Sequence, residues 1–204
     1  MGLFVRASDK HVAVPRDIPE KMLQSAQDAL GVPLFRTSIS QSHLLGIFCV
    51  MNSNGVVLSS LAEKQEIAEF KKQGLNVETL DPFSPGNNLA CNDKAALASH
   101  NLSFAEIGRI EDCLGVEVHQ HRFATPAVIT ATVVTNRGFV THNELTDAEI
   151  KLLEKMFKVK GDKATVNGGT VYNSIGLVAN SKGALAGSIT TGFEVQRIYS
   201  ALFG

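Results

Sequence analysis

Tryptophan is absent from this sequence of 204 residues, and tyrosine occurs only twice. Aromatic residues make up 6% of the chain and charged residues 19%, whereas 44% of the residues are hydrophobic. Disordered chains have the opposite balance, with few hydrophobic and many charged residues, so disorder is excluded as the main character of the protein. The length and composition instead suit a globular protein with a sizeable core.

An excess of positive charge is also missing. The chain has 19 Lys and Arg residues against 20 Asp and Glu residues, which gives a formal net charge of -1. Proteins that wrap nucleic acid use an excess of Lys and Arg to neutralise phosphates. Bulk charge therefore does not draw this chain onto nucleic acid, and any contact with RNA must be directed by another feature.

Long hydrophobic runs are missing as well. The longest apolar run, residues 44–51, has eight residues, whereas a membrane-spanning helix needs about 20. We interpret this run as a buried strand and expect no membrane partner. Residues 1–7 lack a basic segment followed by a long apolar stretch, so no secretory signal is expected.

Cysteine is scarce, with only Cys49, Cys91 and Cys113 in the chain. Their wide spacing fits neither a zinc ribbon nor a dense disulfide framework. An odd number of thiols in apolar surroundings indicates a reducing, cytoplasmic location.

Two short motifs resemble parts of ligand sites, and both are incomplete. His119 and His121 are two residues apart, which in a strand places both imidazoles on one face, but further metal ligands at a suitable spacing are missing. The segment Gly168-Gly169-Thr170 lacks the Lys-Ser or Lys-Thr pair of a phosphate-binding loop, so we interpret it as a turn. We expect no metal, no cofactor and no small-molecule substrate.

The sequence does contain an internal repeat. A helix-start signature, in which Ser, Thr or Asp is followed three residues later by Glu, recurs at intervals of 43, 43, 43 and 45 residues. The pairs are Asp17 with Glu20, Ser60 with Glu63, Ser103 with Glu106, Thr146 with Glu149, and Thr191 with Glu194. In such a capping box the first side chain accepts from the N3 amide, and the glutamate accepts from the amide of the cap residue. Five boxes on one period predict five helices.

A polar turn between two apolar, β-branched runs precedes each predicted helix. The fourth residues of these turns follow one another at intervals of 44, 40, 43 and 45 residues. They are His11, Gly55, Ala95, Gly138 and Gly183. Asn and Gly tolerate the positive φ of tight hairpins, so each unit is predicted to be strand, turn, strand and helix. Further extended runs follow the first three helices, at residues 32–37, 75–80 and 116–122.

Five units of about 43 residues account for the chain. We predict a single domain, residues 1–204, with repeats at roughly 1–37, 38–80, 81–122, 123–165 and 166–204. Such units cannot bury their apolar faces alone and must stack on neighbours. Because neither end of the chain carries a polar capping repeat, the predicted fold is α/β, a five-fold pseudosymmetric α/β propeller closed into a ring.

With the units aligned, their hairpin segments resemble the translation initiation factor 6 family, which has the pentein fold. The segments that carry the resemblance are Gly86-Asn87, residues 91–97, 114–118, 133–138, Thr141-His142, 179–184 and 190–192. No polar extension follows Gly204, so the chain resembles archaeal-type members, and regulation through a tail is not expected. The family usually begins with an additional strand before the first hairpin, and this sequence departs from that pattern.

The resemblance implies a ribosome anti-association factor that performs no catalysis. Such a factor binds the large (50S) ribosomal subunit and sterically prevents its joining with the small (30S) subunit, in translation initiation, in large-subunit biogenesis or in both. It implies a cytoplasmic monomer that docks on a ribosomal protein near the factor-binding region, beside ribosomal RNA. The residues that the resemblance places at this contact are Gly46, Ile47, Gly86, Asn87, Thr130, Tyr199 and Phe203.

Two other functions stay open at this point. The same fold class includes amidine-modifying hydrolases with a cysteine nucleophile, which must form a thiolate beside a base. In those enzymes the nucleophile lies in the last repeat, whereas this chain has no cysteine after Cys113. A five-unit ring could also present a flat face to a partner unrelated to the ribosome.

Overall fold

The computed structural model describes residues 1–81 and 84–204. Within these residues the chain is a mixed α/β protein with nine helices and five small sheets. Four of these sheets have three strands and the fifth has two. In the same residues, no helix combines the length and apolar character that a membrane crossing requires.

The first three units each contain a hairpin, a long helix and a third strand. The first unit consists of β1 (Arg6–Ala7), β2 (Val12–Pro15), α1 (Glu20–Leu30) and β3 (Leu34–Thr37). The second consists of α2 (Leu45–Phe48), β4 (Cys49–Met51), β5 (Gly55–Ser59), α3 (Lys64–Lys72) and β6 (Asn76–Leu80). The third consists of α4 (Pro85–Asn88), β7 (Leu89–Cys91), β8 (Ala95–Ala98), α5 (Phe104–Leu114) and β9 (Glu117–Gln120).

The last two units differ from each other in one strand. The fourth consists of α6 (Val128–Ala131), β10 (Val133–Val134), β11 (Gly138–Thr141), α7 (Asp147–Phe157) and β12 (Lys160–Lys163). The fifth consists of α8 (Asn173–Gly176), β13 (Leu177–Ala179), β14 (Ala184–Ala186) and α9 (Gly192–Phe203). The three extended runs predicted after the first three helices are confirmed as β3, β6 and β9, and β12 is an additional strand.

Strand pairing follows one pattern in the first four units. The first two strands form an antiparallel hairpin, and the third strand lies parallel to the second. In the first unit, for example, Val12 lies opposite Leu34. A parallel pair needs a long crossover connection, which the long helix of each unit supplies.

Three of the five predicted capping boxes are confirmed. Ser103, Thr146 and Thr191 are N-caps, and each hydroxyl accepts from the amide of the N3 glutamate at 3.3 Å. The glutamate side chain in turn accepts from the N-cap amide in all three helices. The helices therefore begin where the sequence predicts, because both ends of each box are satisfied locally.

The predicted start of α1 is wrong. The N-cap is Pro19, and no side chain caps this helix, so Asp17 and Glu20 form no box. The Asp17 carboxylate lies 2.7 Å from Nδ1 of His43 instead. Because proline has no N–H, this N-cap has no backbone amide that a box glutamate could accept from.

The predicted start of α3 is wrong by about one turn. Glu63, predicted as the N3 residue, is itself the N-cap, and Glu66 is the N3 residue of the box. Ser60 lies outside the helix and donates to Asp81 at 2.8 Å. With the observed N-caps, the intervals between helix starts become 44, 40, 43 and 45, identical to those of the turns. Each N-cap therefore lies eight residues after the fourth turn residue.

The interpretation of residues 44–51 as one buried strand is also wrong in its first half. These residues form the short helix α2 and only then the strand β4. An apolar run of this length does not distinguish a strand from a buried helical turn. A tertiary contact decides the matter, because the Gly46 amide donates to the Leu3 carbonyl at 2.9 Å.

Hydrophobic clusters join successive units. Phe70 packs with Ala13 of the preceding unit, and Leu30 of the first unit shares a cluster with Val178 of the fifth. The turn asparagines make the same connection through hydrogen bonds. Nδ2 of Asn52, Asn92 and Asn180 donates to Leu114, Phe157 and Leu30 at 2.9, 3.1 and 2.8 Å. These bonds satisfy carbonyls at the C-terminal ends of the helices, which have no partner inside their own helix.

Candidate interaction surface

The topology sorts the molecule into two ends. In each unit the first strand runs away from a short helix or turn and reaches the polar hairpin turn. The second strand is antiparallel to it and runs back. The long helix therefore begins at the same end of the molecule as the first strand. We call this end the short-helix face. It comprises residues 1–4, the helices α2, α4, α6 and α8, and the segments that lead into the long helices together with their first turns. The opposite end, with the five hairpin turns, is the turn face.

The short helices contact one another across the short-helix face. Contacts join α2 to α4, α4 to α6, and α6 to α8. The segment of residues 1–4 lies between α8 and α2, because the Leu3 amide donates to Ile175 at 3.1 Å and the Leu3 carbonyl accepts from Gly46 at 2.9 Å. Five equivalent segments therefore lie side by side on this face.

Three of the predicted site residues occupy one equivalent position. Ile47, Asn87 and Thr130 are each the third residue of a short helix, as is Ile175. Asn87 is exposed, Ile47 and Thr130 are half-buried, and Ile175 is 44% exposed. This position therefore presents side chains at the surface in all four short helices.

Gly46 and Gly86 occupy the preceding position, where they are buried. A Cβ atom at Gly86 would collide with the backbone of Gly46, and one at Gly46 would collide with the backbone of Gly2 and Leu3. Glycine is needed here because neighbouring backbones approach closely. These two residues space the short helices and offer no side chain to a partner.

The structure separates the last two predicted residues from the other five. Tyr199 and Phe203 lie in the second half of α9, with ring centroids 5.5 Å apart. Arg137 of a hairpin turn donates to the Phe203 carbonyl at 2.6 Å. The end of α9 therefore lies at the turn face, away from α2, α4 and α6.

Arg6, in β1, holds α2 of the short-helix face in place through two hydrogen bonds. Its Nε donates to the Cys49 carbonyl at 3.1 Å, and its Nη2 donates to the Gly46 carbonyl. The side chain borders a narrow cavity of about 60 Å³, which is also lined by Gly86, Ile129 and residues of the first strands. These bonds fix α2 at the point where it turns into β4.

The sequence comparison decides the family. A profile of the eIF-6 family matches residues 1–201. The chain belongs to the eIF-6 family. This membership makes it a translation-related factor and agrees with the resemblance found in the hairpin segments.

Archaeal relatives cover nearly the full length. Translation initiation factor 6 of Saccharolobus islandicus is 37% identical over 209 aligned positions, which cover 99% of this chain and 93% of the relative. The protein of the same name from Pyrococcus abyssi is 37% identical over 212 positions, with the same coverage. That of Pyrobaculum aerophilum is 35% identical over 205 positions, again with 99% and 93% coverage.

The sequence alone did not indicate the exposed apolar side chains as candidate contact residues. Among the described residues, nine large hydrophobic side chains are exposed, and seven of them lie at the short-helix face. The seven are Phe4, Leu61, Phe104, Tyr172, Ile175, Ile189 and Phe193. A sequence signal existed for two of them, because Phe104 and Phe193 interrupt the first helical turn, where polar residues are expected.

The three thiols of this eIF-6 family chain are poor nucleophiles. Burial raises the pKa of Cys49 and of Cys91 to about 12. Burial also raises the pKa of Cys113 to about 11, and its Sγ lies 3.3 Å from the Val56 carbonyl. The reactive species of cysteine is the thiolate, which these surroundings disfavour.

The two histidines considered as metal ligands lie in different settings. His119 is in β9, whereas His121 follows the end of that strand and packs edge-on against Phe123, with ring centroids 4.7 Å apart. Over residues 1–81 and 84–204, no three His, Cys, Asp or Glu side chains are grouped so that they could hold a metal ion.

Proposed function

We propose that this eIF-6 family chain binds the large (50S) ribosomal subunit through its short-helix face and thereby prevents the small (30S) subunit from joining. The observation that carries the proposal is the concentration of exposed apolar side chains at one end of a translation factor. Aromatic residues such as Phe4, Phe104, Tyr172 and Phe193 are enriched in the centres of interfaces relative to the rest of a protein surface. The factor acts in initiation, in large-subunit biogenesis or in both.

Within this surface, Ile47, Asn87 and Thr130 make the central contacts, and Gly46 and Gly86 hold their helices at the required spacing. Ile175 belongs to the same set because it occupies the equivalent position of α8. Phe4 and Tyr172, which are 39% and 45% exposed, extend the apolar area beside it. Tyr199 and Phe203 lie outside the contact because they are at the far end of α9.

A rigid platform is required for steric exclusion, and we propose that the five units supply it as one domain closed into a ring. Support comes from the contact between β1 and β13 and from Asn180, whose Nδ2 donates to Ser8 and Leu30 of the first unit at 3.1 and 2.8 Å. These bonds are equivalent to those that Asn52 makes to the third unit. A closed ring has no end unit that can unfold separately.

The chemistry of the face suits a protein partner beside RNA. A net charge of -1 provides no general attraction to phosphates, whereas apolar side chains gain free energy when a protein surface covers them. A monomer with one interface of about 1,200 to 2,000 Å² is sufficient for stable binding. We propose that this protein partner is the one that the family resemblance implies, a ribosomal protein near the factor-binding region with ribosomal RNA adjacent, and that the protein acts in the cytoplasm.

The amidine hydrolase alternative is not favoured. Its nucleophile must be a thiolate, and the high pKa values of Cys49, Cys91 and Cys113 keep all three thiols protonated at neutral pH. Turnover of arginine or of a methylated arginine that is lost in Cys49→Ala or Cys91→Ala would restore this alternative.

Sedimentation of the purified protein with separated archaeal ribosomal subunits tests the proposal. We expect the protein to pellet with the large subunit only, and we expect added protein to reduce the fraction of joined particles at a magnesium concentration that favours joining. Equal pelleting with both subunits, or an unchanged joined fraction at saturating protein, contradicts the proposal.

A further inference from the structure

A single charged side chain interrupts an apolar set of equivalent residues. The residue two positions before the hairpin turn belongs to the first strand of each unit, and in all five units it lines the narrow cavity of about 60 Å³. Arg6 occupies this position in the first unit. In the other four units the residue is aliphatic and buried, and these residues are Val50, Ala90, Val133 and Val178. The repeat itself therefore does not account for a cation at this place.

Arg6 has no counter-charge among the described residues. It forms no ion pair with a carboxylate there, and the ionisable groups that affect its pKa are the thiols of Cys49 and Cys91. Both thiols stay protonated at neutral pH, because burial raises their pKa to about 12. Burial lowers the pKa of Arg6, but an arginine side chain stays charged in proteins. A charge inside a protein without a partner is costly, so this positive charge requires a negative one.

Part of the guanidinium is available to a ligand. The Nε and Nη2 atoms of Arg6 donate to the carbonyls of Cys49 and Gly46, whereas Nη1 has no hydrogen-bond acceptor among the described residues. Ser174, the second residue of α8, lines the same cavity. It is only 7% exposed, and its hydroxyl makes no hydrogen bond within residues 1–81 and 84–204. Two donors, one of them charged, are thus left without a protein acceptor beside one cavity.

The size of the cavity restricts what can neutralise Arg6. Pockets for cofactors and metabolites have volumes of about 300–1,000 Å³, and this cavity, at about 60 Å³, is far smaller. About 10–15 Å³ is enough for one water molecule, so the cavity has room for a small ion with water beside it. Only one positive charge borders the cavity, so a divalent anion would itself be left unbalanced.

We propose that the cavity holds one small monovalent inorganic anion of the size of chloride, bound between Nη1 of Arg6 and the hydroxyl of Ser174. The anion neutralises the guanidinium, and Arg6 in turn holds α2 through the carbonyl of Gly46. Because Arg6 belongs to the first unit and Ser174 to the fifth, the ion links two units that are far apart in the sequence. The site stabilises the fold and takes no part in ribosome binding, so the inference does not depend on the proposed function.

Crystals of the protein grown with sodium bromide test the site directly, because bromide replaces chloride and is located by its anomalous scattering. We expect one bromide ion in the cavity, within hydrogen-bonding distance of Nη1 of Arg6 and of the Ser174 hydroxyl. Water alone in the cavity, or bromide on the outer surface only, overturns the proposal.

Thermal unfolding measures the contribution of the ion to stability. Chloride replaces gluconate, an organic anion too large for the cavity, at constant ionic strength. An anion that binds only the folded state raises the unfolding temperature as its concentration increases. We expect a rise of at least about 3 °C at about 200 mM chloride. An unfolding temperature that does not rise with chloride contradicts the proposal.

Two substitutions and a control separate the site from general salt effects. Arg6→Met removes the charge, so its unfolding temperature should not respond to chloride. Ser174→Ala leaves the bonds from Arg6 to α2 in place and should need at least about five-fold more chloride for the same rise. Arg36→Met, at a side chain that is 47% exposed, should respond like the wild type. A wild-type response in Ser174→Ala overturns the proposal even if Arg6→Met does not fold, and so does a wild-type response in Arg6→Met.

Discussion

In two units, a single carboxylate at the start of the long helix also holds the loop that precedes the short helix and hairpin of that unit. Glu194 accepts from the Thr191 amide at 2.7 Å as part of the capping box. It also accepts from the amides of Gly168 and Gly169 at 3.1 and 2.8 Å and from the hydroxyl of Thr165 at 2.8 Å. Glu66 performs the same task for Ser38, Ser40 and Gln41. One side chain therefore connects the start of a long helix to the loop that precedes the hairpin of the same unit.

Glu194 should make stability depend on pH in the acid range. Burial raises its pKa, but the hydrogen bonds outweigh burial and lower the pKa to about 2 from the ordinary 4.5. A carboxylate with a lowered pKa stabilises the fold above about pH 4.5, and this contribution is lost as the pH falls towards 2. We expect Glu194→Gln to lower the free energy of unfolding by about 1–3 kcal/mol at pH 7.

Urea unfolding at pH 7 and at pH 3 measures this effect. The difference between wild type and Glu194→Gln should shrink at pH 3, because the wild-type carboxylate then loses part of its advantage. Glu20→Gln is the control, since the Glu20 side chain is 81% exposed and should change stability little. A difference that is constant with pH would show that the charge of Glu194 has no role.

The role of Gly86 in setting the distance between short helices can be tested with a matched pair of substitutions. Gly86→Ala places a methyl group against the backbone carbonyl of Gly46, which cannot move aside as a side chain could. We expect it to lower the free energy of unfolding by more than about 2 kcal/mol. Gly108→Ala, inside α5 with nothing within 4 Å of the new Cβ, should instead raise it by about 0.5–1 kcal/mol. Equal effects in urea unfolding would contradict the spacing role.

At the scale of elements, the turns were the more reliable guide to the repeat. Hairpin turns depend on residues such as Asn and Gly that act locally, and their spacing matches the observed helix starts in all units. The capping signature failed where another residue serves as N-cap, Pro19 in α1 and Glu63 in α3. Glycines adopt the left-handed conformation at the ends of three long helices, at Gly31, Gly74 and Gly115, whereas in the fourth unit Lys158 adopts it without a glycine signal.

Ser103 caps α5, whereas Glu63 and not Ser60 caps α3. Alanine substitutions of the two serines should therefore differ in their effect on the free energy of unfolding. Ser103→Ala removes the hydroxyl that caps α5, so the free energy of unfolding should fall by about 1 kcal/mol. Ser60→Ala lies a turn before α3 and should cost less than about 0.5 kcal/mol, because only an exposed bond to Asp81 is lost. Guanidinium unfolding of both variants decides the matter. A larger cost for Ser60→Ala would mean that the helix start of α3 is misassigned.

The short helices were beyond sequence reasoning for a physical reason. A four-residue helix has no periodicity to detect, and α2, α4, α6 and α8 are held by contacts with the same elements of neighbouring units. These helices therefore depend on how the units meet.

At the scale of the whole molecule, the repeat and the family were predictable, but the surface was only partly so. The resemblance selected Ile47, Asn87 and Thr130, which the fold brings to equivalent positions on one face. Tyr199 and Phe203 were selected with them, although α9 carries both to the other end. The exposed apolar residues were missed because exposure depends on which sides of the units remain uncovered after packing.

The most direct test of the account compares two charge substitutions in large-subunit binding. Ile175→Asp places a carboxylate on the short-helix face, at the third position of α8, whereas Tyr199→Asp places one on an apolar residue of α9 that is even more exposed, at 65% against 44%. Both positions are exposed, so both variants should fold, which thermal unfolding checks. The measurement is the fraction of each protein that pellets with the large ribosomal subunit over a range of concentrations.

We predict that Ile175→Asp weakens binding at least ten-fold, because a charge buried without a partner in an interface is costly, and that Tyr199→Asp binds like the wild type. Normal binding by Ile175→Asp together with loss of binding by Tyr199→Asp would place the contact on α9 and contradict the assignment of the short-helix face.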